Sequence, residues 1–173
     1  MKHLKRLIAQ YPNFPKKGIL FKDISPLLAS RKFHLVISKM ADIVRKNHIV
    51  PDCIVSPEAR GFIFGSTLAH RLGCGFIMAR KAGKLPGAKK QAGYALEYGV
   101  SLLEIPEGMI KRNDDVLIVD DVIATGGTAE AIATMIAKEK GNIVGLIALM
   151  ELTKIPNKQV FKFPTFSLLK YNK

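Results

Sequence analysis

The chain has 173 residues, 48% of them hydrophobic and 24% charged, so it suits one domain with a real core and excludes a disordered chain. Its formal net charge of +13 points to an anionic partner: nucleic acid, a membrane surface or a phosphorylated small molecule. The Lys and Arg residues are scattered with no run of five, and Cys53 and Cys74 lie far apart without a ligand motif. Charge alone therefore selects no function, and the cysteines read as core thiols of a reducing compartment rather than a disulfide or zinc framework.

The N-terminal segment MKHLKRLIAQY has only Leu7-Ile8-Ala9 as an apolar run, too short for a signal peptide, and the chain has no stretch of about 18 apolar residues. The expectation is a soluble, cytoplasmic protein. Residues 1–11 are expected to form a short amphipathic helix with Leu4, Leu7 and Ile8 on one side. YPNFPKKGILFKDISPLL (11–28) carries three prolines and a glycine, so it is expected to be irregular, yet its aromatics must pack on something.

From 31 to 48, Phe33, Val36, Ile37, Met40, Ile43 and Val44 follow helical spacing, with Ser30 as the expected N-cap. DCIVS (52–56) is a short apolar strand, 60–72 a helix ending at Gly73, and GFIMA (75–79) another buried strand. RKAGKLPGAKKQAG (80–93) lacks periodicity and reads as a mobile loop, with Lys89 and Lys90 solvated. YALEYGVSLLEI (94–105) alternates weakly and suits a two-stranded excursion. A buried strand follows at 116–119, then a helix at 128–140 with Ile132, Met135 and Ile136 inward and Gly141 as its stop. A strand at 143–150 follows, and FPTFSLLKY (163–171) closes the sheet. Strands alternating with helices predict one α/β domain over 1–173, a mostly parallel central sheet flanked by helices.

Ligands of such sheets bind at the carboxyl ends of the strands, where Asp120 and Asp121 stand. After them, Ala124-Thr125-Gly126-Gly127-Thr128 joins strand to helix. Its glycines turn the backbone N–H groups inward, the helix N-terminus adds partial positive charge and the threonines add hydroxyls, which together favour a phosphate monoester. No Walker A or GxGxxG motif occurs. Two adjacent carboxylates repel, so a partner must offset them. Sugar hydroxyls and a divalent metal both fit; a phosphate beside hydroxyl acceptors describes a ribose 5-phosphate.

VLIVDDVIATGGT (116–128) resembles the phosphoribosyl-pyrophosphate (PRPP) signature of type I phosphoribosyltransferases. Three further segments, in order, resemble the adenine-specific branch of that family. FPKKGILFKDISPLL (14–28) is similar to its base-binding hood, EARGFIFG (58–65) to its pyrophosphate loop, and RKAGKLPG with YALEYG (80–87, 94–99) to its flexible catalytic loop. Lys17, where the family usually has proline, and Ala82 depart from the pattern at loop positions.

The resemblance implies a type I fold with a hood over 1–30 and a flexible loop over 80–100, and transfer of the phosphoribosyl group from PRPP to adenine. Asp120 and Asp121 would hold the ribose hydroxyls and residues 124–128 the 5-phosphate. Arg60, with the backbone N–H groups of Glu58 and Ala59, would bind pyrophosphate, assisted by Arg80, Lys81 and Lys84. An Arg60–Glu58 pair is the competing reading. Phe21 would stack on adenine while the backbone of Leu20 and Lys22 reads its edge; a core aromatic is the alternative for Phe21. Glu97 would serve as acid/base, with Tyr98 covering the site. Mg²⁺ would enter with PRPP rather than through direct protein ligands, and a homodimer is expected. A 6-oxopurine phosphoribosyltransferase, a PRPP-sensing nucleic-acid-binding regulator on the same fold and an acidic-pair metal phosphatase or receiver are the alternative functions; the regulator would not need the hood and LEYG loop, and the phosphatase or receiver leaves the hood unexplained.

Overall fold

The computed structural model describes residues 2–96, 99–156 and 158–172. Its central sheet has the strand order β5-β6-β4-β3-β7-β8-β9. The strands are β3 (Cys53–Pro57), β4 (Gly75–Lys81), β5 (Lys89–Leu96), β6 (Gly99–Pro106), β7 (Asp115–Ile123), β8 (Asn142–Leu152) and β9 (Thr165–Tyr171). β4, β3, β7, β8 and β9 run parallel, whereas β6 pairs antiparallel with β4 and with β5.

Period-two alternation along β7 divides the core. Leu117 and Val119 face a layer built with α3 (Phe33–Lys46) and α4 (Arg60–Leu72), through Met40, Val44, Phe64 and Leu68. Val116 and Ile118 face the opposite layer, where α5 (Gly127–Lys138) contributes Ile132, Met135 and Ile136. Both faces of a parallel sheet are thus covered, which is why β3 and β7 read as nearly continuous apolar runs.

From β3 the chain passes through α4 to β4 on one side, while β7 lies on the other side. The crevice at the carboxyl ends of β3 and β7 is therefore a topological switch point, the place where open α/β sheets bind ligands. Pro57 ends β3 there, and Asp120 and Asp121 lie near the end of β7.

Several expectations need correction. The N-terminal helix, α1 (Lys2–Lys5), is only four residues, and β1 (Ala9–Pro12) follows it. β1 pairs antiparallel with β2 (Leu20–Asp23), with Tyr11 opposite Phe21, and α2 (Ser25–Leu28) comes next. The proline-rich segment thus contains a two-stranded ribbon: Pro12 ends β1 and Pro15 lies in the connection, where no ladder donor is needed, while Pro26 falls in the first turn of α2. Ser30 caps no helix: Lys32 is the N-cap of α3, and Ser30 Oγ donates to the Leu27 carbonyl at 2.8 Å.

The expected loop over 80–93 shrinks to residues 82–88, because β4 reaches Lys81 and β5 begins at Lys89. Lys89 and Lys90 are consequently not simply solvated. Lys89 Nζ lies 3.5 Å from Glu104, and Lys90 Nζ pairs with Glu107 at 2.5 Å and Glu139 at 3.7 Å. α4 does end at Gly73, in the left-handed region at φ 75°. At the end of α5 that conformation belongs to Lys140 (φ 65°) rather than to Gly141.

Candidate active site

A cleft of about 240 Å³ opens at the switch point. It is lined by Glu58, Ala59, Arg60, Gly61, Asp120, Asp121 and residues 122–126, with Thr128 and Ala129 from the start of α5. The acidic pair with its glycine loop (120–128) and the β3–α4 turn, two separate stretches of sequence, therefore line one concavity.

Asp120 and Asp121 are 9% and 4% exposed, so these carboxylates sit at the floor of the cleft rather than on its rim. Arg60 Nε stands 3.0 Å from Asp121 Oδ2, and Asp120 Oδ1 accepts the Asp121 backbone N–H at 2.7 Å. Burial, reinforced by the neighbouring Asp121 charge, pushes the Asp120 carboxyl well above the usual carboxylate range. Gly61 allows this close approach, since a Cβ there would meet Pro57 Cδ at 2.7 Å and Asp120 Oδ1 at 3.1 Å.

The expected Arg60–Glu58 alternative is not what forms. Glu58 instead accepts from Lys84 Nζ at 2.7 Å, the Lys81 backbone N–H at 3.1 Å and Arg80 Nε at 3.3 Å. The Lys84 contact first, then the Lys81 and Arg80 contacts, hold the Glu58 carboxyl down to about 2. The Arg80 and Lys84 side chains and the Lys81 backbone are thus gathered beside the β3–α4 turn, and the Glu58 carboxylate, itself an anion, serves to hold the two cations there. The Arg60 side chain remains 41% exposed and faces the cleft.

Gly126 adopts φ 93°, and α5 begins at Gly127, so the N–H groups of the first turn, which have no partner within the helix, start between Thr125 and Thr128. Thr125 Oγ1 lies 3.5 Å from the Gly127 backbone N.

Phe21 belongs to the β1–β2 ribbon, and its ring lies 5.5 Å from the Arg60 guanidinium carbon. Phe14 meets it edge-on at 5.1 Å. Phe21 is half-buried rather than a core residue, which leaves ring surface for a planar ligand. The Lys22 side chain is directed elsewhere: it is 7% exposed, donates to Gln10 Oε1 at 2.6 Å and lies over the Tyr171 ring at 4.5 Å. Burial lowers its pKa. Leu20 is 38% exposed at the rim of the ribbon. Glu97 and Tyr98, expected as acid/base and cover, lie outside the described residues.

Sequence reasoning did not find the support behind the glycine loop. The Gln159 backbone N–H donates to the Thr125 carbonyl at 2.7 Å, and the Phe161 and Gln159 side chains press against Gly126. No local motif signals this contact.

Known proteins resemble this chain over nearly its whole length. The family described as "Phosphoribosyl transferase domain" matches residues 23–162. An adenine phosphoribosyltransferase of Thermotoga petrophila is 45% identical over 97% of this chain and 99% of its own length. One of Brachyspira hyodysenteriae is 46% identical over the same shares. Among solved structures, adenine phosphoribosyltransferase of Thermoanaerobacter pseudethanolicus superposes with a TM-score of 0.93 at 42% identity, covering 98% of this chain and 99% of that one. The enzyme of Saccharomyces cerevisiae, solved with an imino-altritol bisphosphate and adenine, gives 0.92 at 40% identity, covering 97% of both chains. With the acidic pair, the glycine loop and Arg60 around one cleft, and relatives alike over nearly their whole length, the chain belongs to the phosphoribosyltransferase family, in its adenine phosphoribosyltransferase branch.

Proposed function

We propose that this protein transfers the 5-phosphoribosyl group of PRPP to N9 of adenine, giving AMP and pyrophosphate, in purine salvage. One observation carries the reading: Arg60 touches both the Asp121 carboxylate and the Phe21 ring. The group that would face pyrophosphate thus lies between a surface for the ribose and a surface for the base.

In this reading residues 124–128 hold the 5-phosphate. Asp120 and Asp121 accept from the ribose hydroxyls and stabilise positive charge developing at the sugar ring. Arg60, with Ala59 and the Arg80, Lys81 and Lys84 cluster, receives the diphosphate. The C1–O bond to pyrophosphate breaks, its electrons leaving on the departing oxygen, while adenine N9 forms the new bond to C1. The N9 proton passes to Glu97, which stands in the chain between β5 and β6, and Tyr98 shields the site from water that would hydrolyse PRPP. Phe21 stacks on adenine while the backbone of Leu20 and Lys22 reads its edge.

Mg²⁺ belongs to this reading as companion of the substrate. Among the described residues, no group of three or more His, Cys, Asp or Glu side chains is placed to cage an ion, and Asp121 is already engaged by Arg60. This donor set would suit an ion that enters with the diphosphate, Asp120 and Asp121 being the carboxylates nearest to hold it. When bound, Mg²⁺ draws charge from the departing pyrophosphate.

We place the enzyme in the cytoplasm as a homodimer. In support, no helix among the described residues is long and apolar enough to cross a membrane, and Met78 and Leu102 each leave 43% of their surface exposed. A sizing column tests the dimer.

The decisive experiment offers PRPP and Mg²⁺ with adenine, hypoxanthine or guanine. AMP and pyrophosphate should form with adenine alone; turnover with only the 6-oxopurines would overturn the base assignment. Glu97→Gln should lower kcat far more than it weakens PRPP binding, whereas equal losses would remove Glu97 from proton transfer.

A further inference from the structure

The glycine loop does not hold its own shape. Its Gly126 occupies the left-handed region at φ 93°, and the chain behind it comes from residues 158–163, far along the sequence. A Cβ on Gly126 would lie 2.8 Å from Phe161 Cζ and 3.0 Å from Gln159 Cβ, so the two side chains fill the space behind the turn.

The Gln159 backbone N–H fixes the Thr125 carbonyl at 2.7 Å. In a planar trans peptide the carbonyl and the following N–H point in opposite directions. Drawing the Thr125 carbonyl back towards Gln159 therefore turns the Gly126 N–H the other way, towards the cleft that Gly126 and Thr125 line.

This brace is anchored in turn. Lys158 Nζ donates to Glu151 Oε1 at 2.6 Å and to the Leu152 carbonyl at 2.9 Å, both at the end of β8. Glu151 Oε2 accepts from Ser167 Oγ on β9 at 2.9 Å. Burial opposes ionisation of Glu151, but the Lys158 and Ser167 contacts and the Lys158 charge outweigh it, so its carboxyl lies below the usual range. Phe161 stacks on Phe163 with ring centroids 5.0 Å apart, which limits its movement.

We propose that Gln159 and Phe161 are positioning residues for the phosphate loop, holding the Thr125–Gly126 peptide with its N–H towards the 5-phosphate, with Lys158 and Glu151 tying them to the sheet. The proposal rests on the reading of 124–128 as the 5-phosphate site. It assigns the segment after β8 a part in binding the sugar phosphate and none in binding pyrophosphate or base.

The test compares Phe161→Ala, Phe161→Leu and Lys158→Met with the unaltered full chain, using ribose 5-phosphate and inorganic pyrophosphate as separate calorimetric probes, and the KM values of PRPP and adenine. Misplacing a binding group by about 1 Å can cost up to about 100-fold, so a smaller tilt of one peptide should weaken ribose 5-phosphate binding about tenfold. Phe161→Ala and Lys158→Met should do so and raise the PRPP KM, with pyrophosphate affinity and adenine KM within about twofold, and Phe161→Leu should recover most of the loss. Equal weakening of both probes, or unchanged ribose 5-phosphate binding in a folded variant, overturns the proposal. Should Phe161→Ala fail to fold, Lys158→Met, which leaves the aromatic pair intact, decides by the same criteria. Failure of the unaltered protein to bind ribose 5-phosphate would overturn the site reading itself, a result separable from an unaltered protein that binds and variants that do not differ.

Discussion

Arg60 Nε stands 3.0 Å from Asp121 Oδ2, joining the first residue of α4 to the end of β7 across the switch point. The guanidinium is planar and has donors left over, so one edge can hold the carboxylate while the rest faces a diphosphate. Its position over Phe21 also ties the base platform to the sugar floor.

Arg60→Lys keeps the charge but loses the fork. Charge-assisted hydrogen bonds contribute about 1.5–3 kcal/mol, so pyrophosphate affinity should fall roughly 10- to 100-fold. Product-inhibition measurements check this. An Arg60→Lys enzyme with unaltered pyrophosphate inhibition would show that Arg60 serves Asp121 alone.

Phe21→Ala should act mainly on the base. Stacking on an aromatic contributes about 1–3 kcal/mol per base, so the adenine KM should rise between roughly 5- and 100-fold. PRPP binding should change less, through the lost contact with Arg60. Steady-state kinetics with each substrate varied in turn separate the two, and a larger effect on PRPP than on adenine would argue that Phe21 only supports Arg60.

How much of this was legible beforehand follows from how local each signal is. The β7–loop–α5 unit was legible because its apolar run, acidic pair and glycines lie together in 116–128. The Arg60–Asp121 contact was not legible because Glu58 lies only two positions away in sequence, whereas it is the sheet that brings Asp121 to Arg60. The β1–β2 ribbon was hidden by prolines that sit at its rim and in its connection. β5 was missed at Lys89–Gly93 because its pattern is set by pairing with β6 and by buried Glu104, which Gln91 Nε2 contacts at 2.5 Å. The brace from Gln159 and Phe161 left no local trace at all.

Glu58 competes with any diphosphate for Lys84 and Arg80. Its folded-state pKa is about 2 against an ordinary 4.5. A lowered carboxylate pKa gives stability that is fully present above the unfolded value and lost as pH falls through the folded one, so this pairing is intact at neutral pH and fails only near pH 2. Glu58→Gln should therefore tighten pyrophosphate binding severalfold at neutral pH and make the 82–88 segment more susceptible to proteolysis. Weaker pyrophosphate binding in Glu58→Gln would show that Glu58 prepositions the cations more than it competes for them.

Asp120 has the opposite sign. Burial and the Asp121 charge raise its pKa, so at any pH between the unfolded and the folded value the folded state holds a proton that the unfolded chain has released. Where the native state binds more protons, stability falls as pH rises, and the loss runs from the unfolded carboxylate pKa upward to the raised folded value. Asp120→Asn removes the titrating carboxyl and nearly keeps the shape, so it should stabilise the protein at neutral pH and flatten this part of the pH profile. Each kcal/mol recovered should raise Tm by roughly 2–4 °C for a chain of this size. The same change removes the group proposed to accept a ribose hydroxyl as a carboxylate, a form that Asn cannot take, so kcat/KM for PRPP should fall about tenfold or more. Thermal melts across a pH series, paired with kinetics, check both halves. A variant that loses stability and activity together would mean that Asp120 holds the cleft floor in place; a more stable but slower enzyme would mean that the buried acid is kept for the reaction at the fold's expense.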